Sequence, residues 1–425
     1  MKLKRLRISN CSWVEDLDIE VRHNLVIIGP NGSGKTTVLR CLEMLLGMDS
    51  CQLHETITED FIRDKSKPFA VEAVLDDLGV DELAVFPDVV DAQKGNGLSM
   101  RLEVRADGNG VVISRYFPNC ETRKHPTQAQ QVAIGWTLID VQVSAMEIFD
   151  ALPENANILA IDEPEAHLHP SSQRSLVKTL KQTAGQKIIV THSPTIAGSF
   201  EPDEIVVIRA DGTAAQPERG FLSDEASMVV RWWVGRRLEP LTAAIVIAVE
   251  GPSDRIIVNK VASVLGIDLD KHDIVVVETD GCGNMKGVES IFGNGGFNIP
   301  LFELVDDDNR EDIAKRIGTD SGNPADLAAH HVFISSNDLE DEYVRAIGAA
   351  RIWRVIKSMK VFSKTELRRC ELGDDGNPTE ASLAAFIREK TSRKIPSAIV
   401  AASLIDTENA PRIQSVAHLL NALAI

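Results

Sequence analysis

The sequence predicts an α/β fold built on parallel sheets, and three features predict it. Short apolar runs recur at strand length. Several are followed by apolar residues at helical spacing, and glycine-rich or acidic residues stand where the runs end. The first such unit is the run Leu25-Val26-Ile27-Ile28, read as a buried strand, then Gly29-Pro30-Asn31-Gly32-Ser33-Gly34-Lys35-Thr36. From Thr37 to Leu46, apolar positions at Val38, Leu39, Leu42 and Leu45 predict a helix.

The loop of that unit fits the pattern G-x-x-x-x-G-K-[ST], Walker A, over residues 29–36. Strand, glycine-rich loop and helix N-terminus together make an anion site, because unpaired backbone N–H groups and the helix dipole face the ligand. This implies a bound nucleoside triphosphate. Residues 29–36 and Thr37 would line it, Lys35 reaching the β/γ oxygens and the Thr36 hydroxyl ligating Mg²⁺. Ile158-Leu159-Ala160-Ile161 is a second strand ending in Asp162-Glu163, the Walker B arrangement of residues 158–163. Asp162 is expected to hold Mg²⁺ and Glu163 to orient the attacking water. A third strand, Lys187-Ile188-Ile189-Val190, runs into Thr191-His192-Ser193-Pro194, where His192 can contact the γ-phosphate or polarise water. Strand-like runs at 69–74 and 100–104, with turn signals Lys94-Gly95-Asn96-Gly97 and Asp107-Gly108-Asn109-Gly110, add a β layer to this lobe.

The second half repeats the strand-to-helix alternation. Ala244-Ile245-Val246-Ile247-Ala248-Val249 ends in Glu250-Gly251-Pro252-Ser253-Asp254, and a helical pattern follows through Ile257, Val261 and Leu265. Ile274-Val275-Val276-Val277 leads into the turn Asp280-Gly281-Cys282-Gly283-Asn284. Pro300-Leu301-Phe302-Glu303-Leu304-Val305 ends in Asp306-Asp307-Asp308. This predicts a small parallel sheet, with ligands at the carboxyl ends of its strands. Asp306 and Asp308, read as one extended segment, point the same way. Such oxygen-only donors suit Mg²⁺ or Mn²⁺. A solvated turn is the competing reading of the triplet, in a chain with 63 Asp and Glu residues.

Composition narrows the function classes. The 425 residues suggest two or three domains, and 44% hydrophobic with 25% charged residues is ordinary for a soluble globular chain. No apolar run approaches a membrane span, so no membrane role is expected. The basic start Lys2-Leu3-Lys4-Arg5-Leu6-Arg7 is followed by acids rather than an apolar core, which reads as no secretory signal. Six scattered cysteines without C-x-x-C spacing read as reduced thiols, and hence as a cytoplasmic protein. A net charge of −18 excludes a chain that coats nucleic acid indiscriminately, while leaving local basic grooves open. Two basic segments exist, Lys357, Lys360, Lys364, Arg368, Arg369 and then Arg388, Lys390, Arg393, Lys394. Either is a solvated helix face or a route for an anionic substrate. Trp232-Trp233 reads as packing at a domain junction.

The string Ile161-Asp162-Glu163-Pro164-Glu165-Ala166-His167-Leu168-His169-Pro170, followed by Thr191-His192-Ser193-Pro194, resembles the ABC-type ATPases of the SMC, RecF and OLD group. The opening Leu6-Arg7-Ile8-Ser9-Asn10 is similar to the first strand of that fold. One departure is that no L-S-G-G-Q-like signature stands between Pro118 and Asn157. Thr127-Gln128-Ala129-Gln130-Gln131 is the nearest stretch. Glu-Gly-Pro-Ser-Asp after a strand, with the aspartate triplet, resembles a Toprim domain. Together the halves resemble the OLD family of ATP-linked nucleases.

The resemblance implies an ABC-type ATPase head at 1–235. A Toprim domain with a Rossmann-like parallel sheet and a C-terminal helical extension would occupy 240–425. It implies ATP sandwiched between two heads, and so a homodimer or higher homo-oligomer. It also implies a divalent-metal-dependent endonuclease or nickase on double-stranded DNA, in anti-phage defence with a protein partner or in DNA repair. Carried over by position, Glu250 and Asp254 match the E-G-x-x-D element, and Asp306 and Asp308 the D-x-D element. Glu340 matches a later glutamate, with Asp338 standing where the family usually has threonine. These are the expected metal ligands, and Lys394 is the expected catalytic lysine that neutralises developing charge. Two other readings remain. One is a RecF-like ATP-dependent DNA sensor or clamp with a non-catalytic Toprim module; the other, a primase or topoisomerase, lacks any zinc-binding or strand-passage region.

Overall fold

The computed structural model describes residues 1–90, 97–108, 110–120, 123–139, 156–166, 168–221, 234, 236–279, 285–319 and 323–423. The turns at 94–96 and 280–284, Asn109, His167 and Trp232-Trp233 lie outside the described residues. The chain divides into two compact units, 1–242 with 295–297, and 243–294 with 298–425.

The first unit holds two sheets. An antiparallel one has the order β2-β1-β4-β5-β6, from β1 (Lys2–Ser9), β2 (Leu17–Glu20), β4 (Phe69–Asp76), β5 (Leu98–Ala106) and β6 (Val111–Tyr116). The other has the order β11-β10-β3-β9-β8-β7. Its strands are β3 (Leu25–Ile28), β7 (Trp136–Ile139), β8 (Ile158–Asp162), β9 (Gln186–Val190), β10 (Ile205–Ile208) and β11 (Ala214–Ala215). From β10 to β7 every pairing is parallel. All four residues of β3 are buried, as an unbroken apolar run requires of a strand covered on both faces. Gln186 fastens the two sheets together: its side chain accepts from Leu3 N–H (2.8 Å) and donates to Leu3 C=O (2.9 Å).

The first helix differs from expectation. It begins at Lys35 and runs only to Leu42, where a π-helical turn, Glu43–Gly47, takes over. The wider turn closes with Met48 N–H donating to Glu43 C=O at 2.9 Å, and Trp136 Nε1 donates to the Glu43 carboxylate. Buried Arg115 donates to the Met44 and Leu45 carbonyls at 3.4 and 3.5 Å and also to Met48 C=O, which satisfies the orphan acceptors of this helix end. Val38, Leu42 and Leu46 pack in one core with Leu6, Ile8, Val71 and Met100, so the helix is buried against the antiparallel layer.

The second unit is a four-stranded sheet of order β13-β12-β14-β15, parallel throughout. Its strands are β12 (Ile245–Val249), β13 (Ile274–Glu278), β14 (Leu301–Asp306) and β15 (Val332–Ser335). Helix Pro252–Val264 crosses from β12, with Ile257, Val258 and Val261 in the core. C-terminal helices, among them Leu339–Ile347, Glu380–Arg388, Thr391–Leu404 and Gln414–Ala422, pack into the same core through Val344, Phe386, Ala398 and Val416. No described helix is long and apolar enough to cross a membrane.

Candidate functional sites

The sheet order puts the nucleotide motifs side by side. β9 lies between β3 and β8, so the loops leaving β3, β9 and β8 (Walker A, the histidine turn and Walker B) share one sheet edge. Walker A is shaped by glycines where side chains do not fit. A Cβ at Gly29 would stand 2.1 Å from Ile208 O, and one at Gly34 2.7 Å from Trp13 O. Gly32 and Gly34 hold φ of 78° and 96°, in the left-handed region. Gly34 caps helix Lys35–Leu42 with no side-chain hydrogen bond, which leaves the first N–H groups for an anion.

Lys35 is buried, and its Nζ donates to Pro30 C=O at 2.7 Å. Burial lowers its pKa, opposed by Glu163, Asp162 and Glu165 in that order. Ser33 is buried with its hydroxyl unpartnered among the described residues, an acceptor or donor held in readiness inside the loop. Thr36 and Thr37 are half-buried in the first helical turn. Asp162 closes β8, and Glu163 follows in the left-handed region with φ 48°, its N–H donating to Val190 C=O at 2.9 Å. That turn brings the Glu163 carboxylate to 3.4 Å from His192 Nε2. Sequence reasoning overlooked Glu165, which accepts from Thr191 Oγ1 at 2.7 Å and from His192 N–H. The only signal for it was its place two residues beyond Glu163. In the segment expected to hold the signature, Thr127 caps helix Gln128–Ile134.

The second site lies at the carboxyl edge of the four-stranded sheet. Glu250 leaves β12 and accepts from Asp306 N–H (3.2 Å) and Asn309 Nδ2 (3.1 Å). Asp254 Oδ2 accepts from Gly251 N–H at 2.9 Å, at the head of the crossing helix. Asp306 ends β14 and accepts from Leu339 N–H at 3.3 Å. Asp308 corrects an expectation. The chain turns into a 3-10 helix at Asp307–Asn309, so Asp306 and Asp308 do not share an extended segment. Asp308 is exposed at the rim, bonded to Asn309 Nδ2 at 2.7 Å, and Asn309 thereby ties it to Glu250. Nothing in the sequence singled out Asn309.

Glu340 and Asp338 come from the helix that follows β15. Asp338 is its N-cap, accepting from Asp341 N–H at 2.7 Å, and is ion-paired with Arg388. Glu340 is buried, 3.3 Å from Lys394 Nζ in helix Thr391–Leu404. These carboxylates act on one another. Burial, then Glu340, raise Asp254 to about 7, while burial, then Glu250, Asp254 and Glu340, raise Asp306 to about 8. The buried Tyr343 hydroxyl has no hydrogen-bond partner among the described residues. Burial, then Glu340, Asp254 and Asp338, push its pKa well up.

Among the described residues, no three His, Cys, Asp or Glu side chains close on a common point as a finished metal cage. The donor chemistry nonetheless fits a hard divalent cation. The groups are all oxygen donors, and the raised pKa values of Asp254, Asp306 and Glu340 report a cluster short of positive charge. Arg393 does not share the solvent-facing row of basic residues beside it in sequence. Arg393 is fully buried and engaged with Glu366, Glu389 and the Phe386 ring and carbonyl, so it is not part of a solvated basic face. Lys357, Lys360, Lys364, Arg368 and Arg369 are exposed.

Comparison with known proteins matches residues 5–125 to an AAA domain and 138–197 to an AAA ATPase domain. Residues 241–308 match an Overcoming lysogenization defect protein-like TOPRIM domain. An OLD nuclease of Thermus scotoductus is 29% identical over 185 residues, which are 40% of this chain and 34% of that protein. An uncharacterized ABC transporter ATP-binding protein of Schizosaccharomyces pombe is 27% identical over 51% of this chain and 27% of its own length. The chain thus spans about a third or less of these two relatives. Among solved structures, the C-terminal region of the Burkholderia pseudomallei OLD protein is 23% identical with a TM-score of 0.35. It covers 43% of this chain and 97% of its own.

Proposed function

From a chain that belongs to the OLD-family ATPase–Toprim proteins, we propose an ATP-binding, divalent-metal-dependent DNA endonuclease or nickase that works as a homodimer or larger homo-oligomer. The observation that carries this is the cluster of Glu250, Asp254, Asp306 and Glu340 beside Lys394 at the sheet's carboxyl edge. A surface turn has no cause to hold carboxylates close enough to raise one another's pKa, and function does. Glu250, Asp254, Asp306 and Glu340 would hold Mg²⁺ or Mn²⁺, with Asp308 at the rim. When bound, such an ion supplies Lewis-acid polarisation of the phosphodiester and acidifies water. Asn309 orients Glu250 toward Asp306, and Lys394 places positive charge where the phosphate's charge would grow. In the head, Lys35 and the Walker A backbone hold the triphosphate, Thr36 and Asp162 its Mg²⁺, and Glu163 with His192 the attacking water. The exposed lysines and arginines of residues 357–369 are the proposed contact to double-stranded DNA. A cytoplasmic role in phage defence or repair follows from the same reading.

The test is incubation of the purified protein with supercoiled plasmid and Mg²⁺ or Mn²⁺, with and without ATP. Metal-dependent nicking that is lost in Glu250→Ala and Asp306→Ala, with ATP binding intact, is the expected result. A second reading, the ATP-dependent DNA sensor or clamp, is favoured by one observation: Asp338 replaces the family's usual threonine and is occupied by Arg388. ATP-dependent DNA binding without cleavage in any metal would select it.

A further inference from the structure

We propose that Glu165 is a positioning residue for ATP turnover: it fixes the Thr191–His192 turn and, through it, the meeting of His192 with Glu163. Two successive donors, Thr191 Oγ1 at 2.7 Å and the His192 N–H, end on the two oxygens of one carboxylate. The turn is pinned from its other sides too. Thr191 N–H donates to Ile27 C=O at 3.1 Å, in the strand that leads into Walker A. Ser193 N–H donates to Thr191 Oγ1 at 2.9 Å, and Ser193 Oγ to Gln173 at 2.7 Å. Thr191 is fully buried. The His192 side chain itself is exposed, and its imidazole approaches Glu163 Oε1 at 3.4 Å. Backbone restraint from Glu165 is therefore what holds the imidazole at Glu163. A charge-assisted hydrogen bond to a backbone N–H is well suited to that task.

The inference rests on the proposed roles of Glu163 and His192 in turnover. Displacing a catalytic group by about 1 Å costs about 100-fold in rate. Glu165→Ala should thus lower kcat by about 10- to 100-fold, with KM and calorimetric affinity for ATP little changed. Glu165→Gln keeps one acceptor for the His192 N–H and should recover much of the rate. The double variant Glu165→Ala/His192→Ala should be no slower than His192→Ala alone, because Glu165 acts through that residue. A loop staple with no such role would instead lower thermal stability and slow turnover additively with His192→Ala. Wild-type kcat in Glu165→Ala, or additivity in the double variant, overturns the inference. Wild-type protein that binds ATP without hydrolysing it overturns the turnover reading instead. The His192 imidazole NMR resonance then decides: a shift in Glu165→Ala supports the clamp, and an unmoved resonance overturns it.

Discussion

Lys394 Nζ lies 3.3 Å from Glu340 Oε1, on a carboxylate whose side chain is 1% exposed. Burial raises the Glu340 pKa and Lys394 opposes it. Burial likewise works against the Lys394 charge, but Glu340, Asp306 and Asp254 outweigh it and raise its pKa. Removing the lysine leaves a buried carboxylate uncompensated. Lys394→Met should therefore destabilise the protein by about 3 kcal/mol in urea unfolding, and Glu340→Gln/Lys394→Met should recover most of that loss. Equal stability of Lys394→Met and wild type would show that Glu340 is already neutral.

Lys35 is held differently. Its pKa is lowered by burial, so without an anion to pair with, its charge costs stability rather than adding it. Lys35→Ala should weaken ATP binding about 10- to 100-fold in a calorimetric titration without lowering the thermal midpoint. Glu163→Gln should keep that affinity and slow hydrolysis about 100-fold. An unchanged ATP affinity in Lys35→Ala would remove the nucleotide site from residues 29–36.

The elements that sequence made legible are those whose signal is local. Leu25–Ile28 and the run 158–161 are apolar stretches between turn residues, and both lie in strands. Walker A was readable because its glycines and Lys35-Thr36 stand at fixed spacing directly after the strand Leu25–Ile28. What failed was non-local. Asp308 looked paired with Asp306 in an extended segment. Whether β14 continues past Asp306 depends on contacts from distant residues, among them Glu250, which accepts from Asp306 N–H. Arg393 looked like one of a basic row, yet a helix turn points it into Phe386, with its ring centroid 3.9 Å away. Glu43 sat in a faultless helical pattern until Trp136, far along the chain, engaged it. Each miss has the same physical origin, a partner more than a few residues away.

Glu303, buried on β14, shares Arg316 with Glu289: Arg316 Nη2 is 3.0 Å from Glu303 Oε2 and 2.5 Å from Glu289 Oε1. Burial, then the hydrogen bond and charge of Glu289, raise the Glu303 pKa. A folded-state pKa above the unfolded one means that the folded protein keeps a proton which the unfolded chain releases. Stability from this group is thus present below the ordinary carboxyl range and lost as pH rises through the folded value. Glu303→Gln, a neutral isostere still facing Arg316, should match wild type near pH 4. It should exceed wild type by about 1 kcal/mol at pH 9. A constant difference across that range in urea unfolding would mean that Glu303 is ionised throughout.

Asp306 gives the sharpest test of the metal reading, because it is a structural liability unless a cation is present. Burial, then Glu250, Asp254 and Glu340, disfavour its charge. Its carboxylate also accepts from Leu339 N–H at 3.3 Å, a bond that an asparagine oxygen can keep. Asp306→Asn should therefore fold, and without added metal should be more stable than wild type by about 1 kcal/mol at neutral pH. Millimolar Mg²⁺ or Mn²⁺ should reverse the order, because an ion that binds the folded state alone stabilises it in proportion to its affinity, and the variant loses one anionic ligand. Thermal melts of the two proteins with EDTA and then with metal decide the matter without any nuclease assay. If metal raises both midpoints equally, Asp306 is not a ligand, and the cluster at the sheet edge holds its cation elsewhere or not at all.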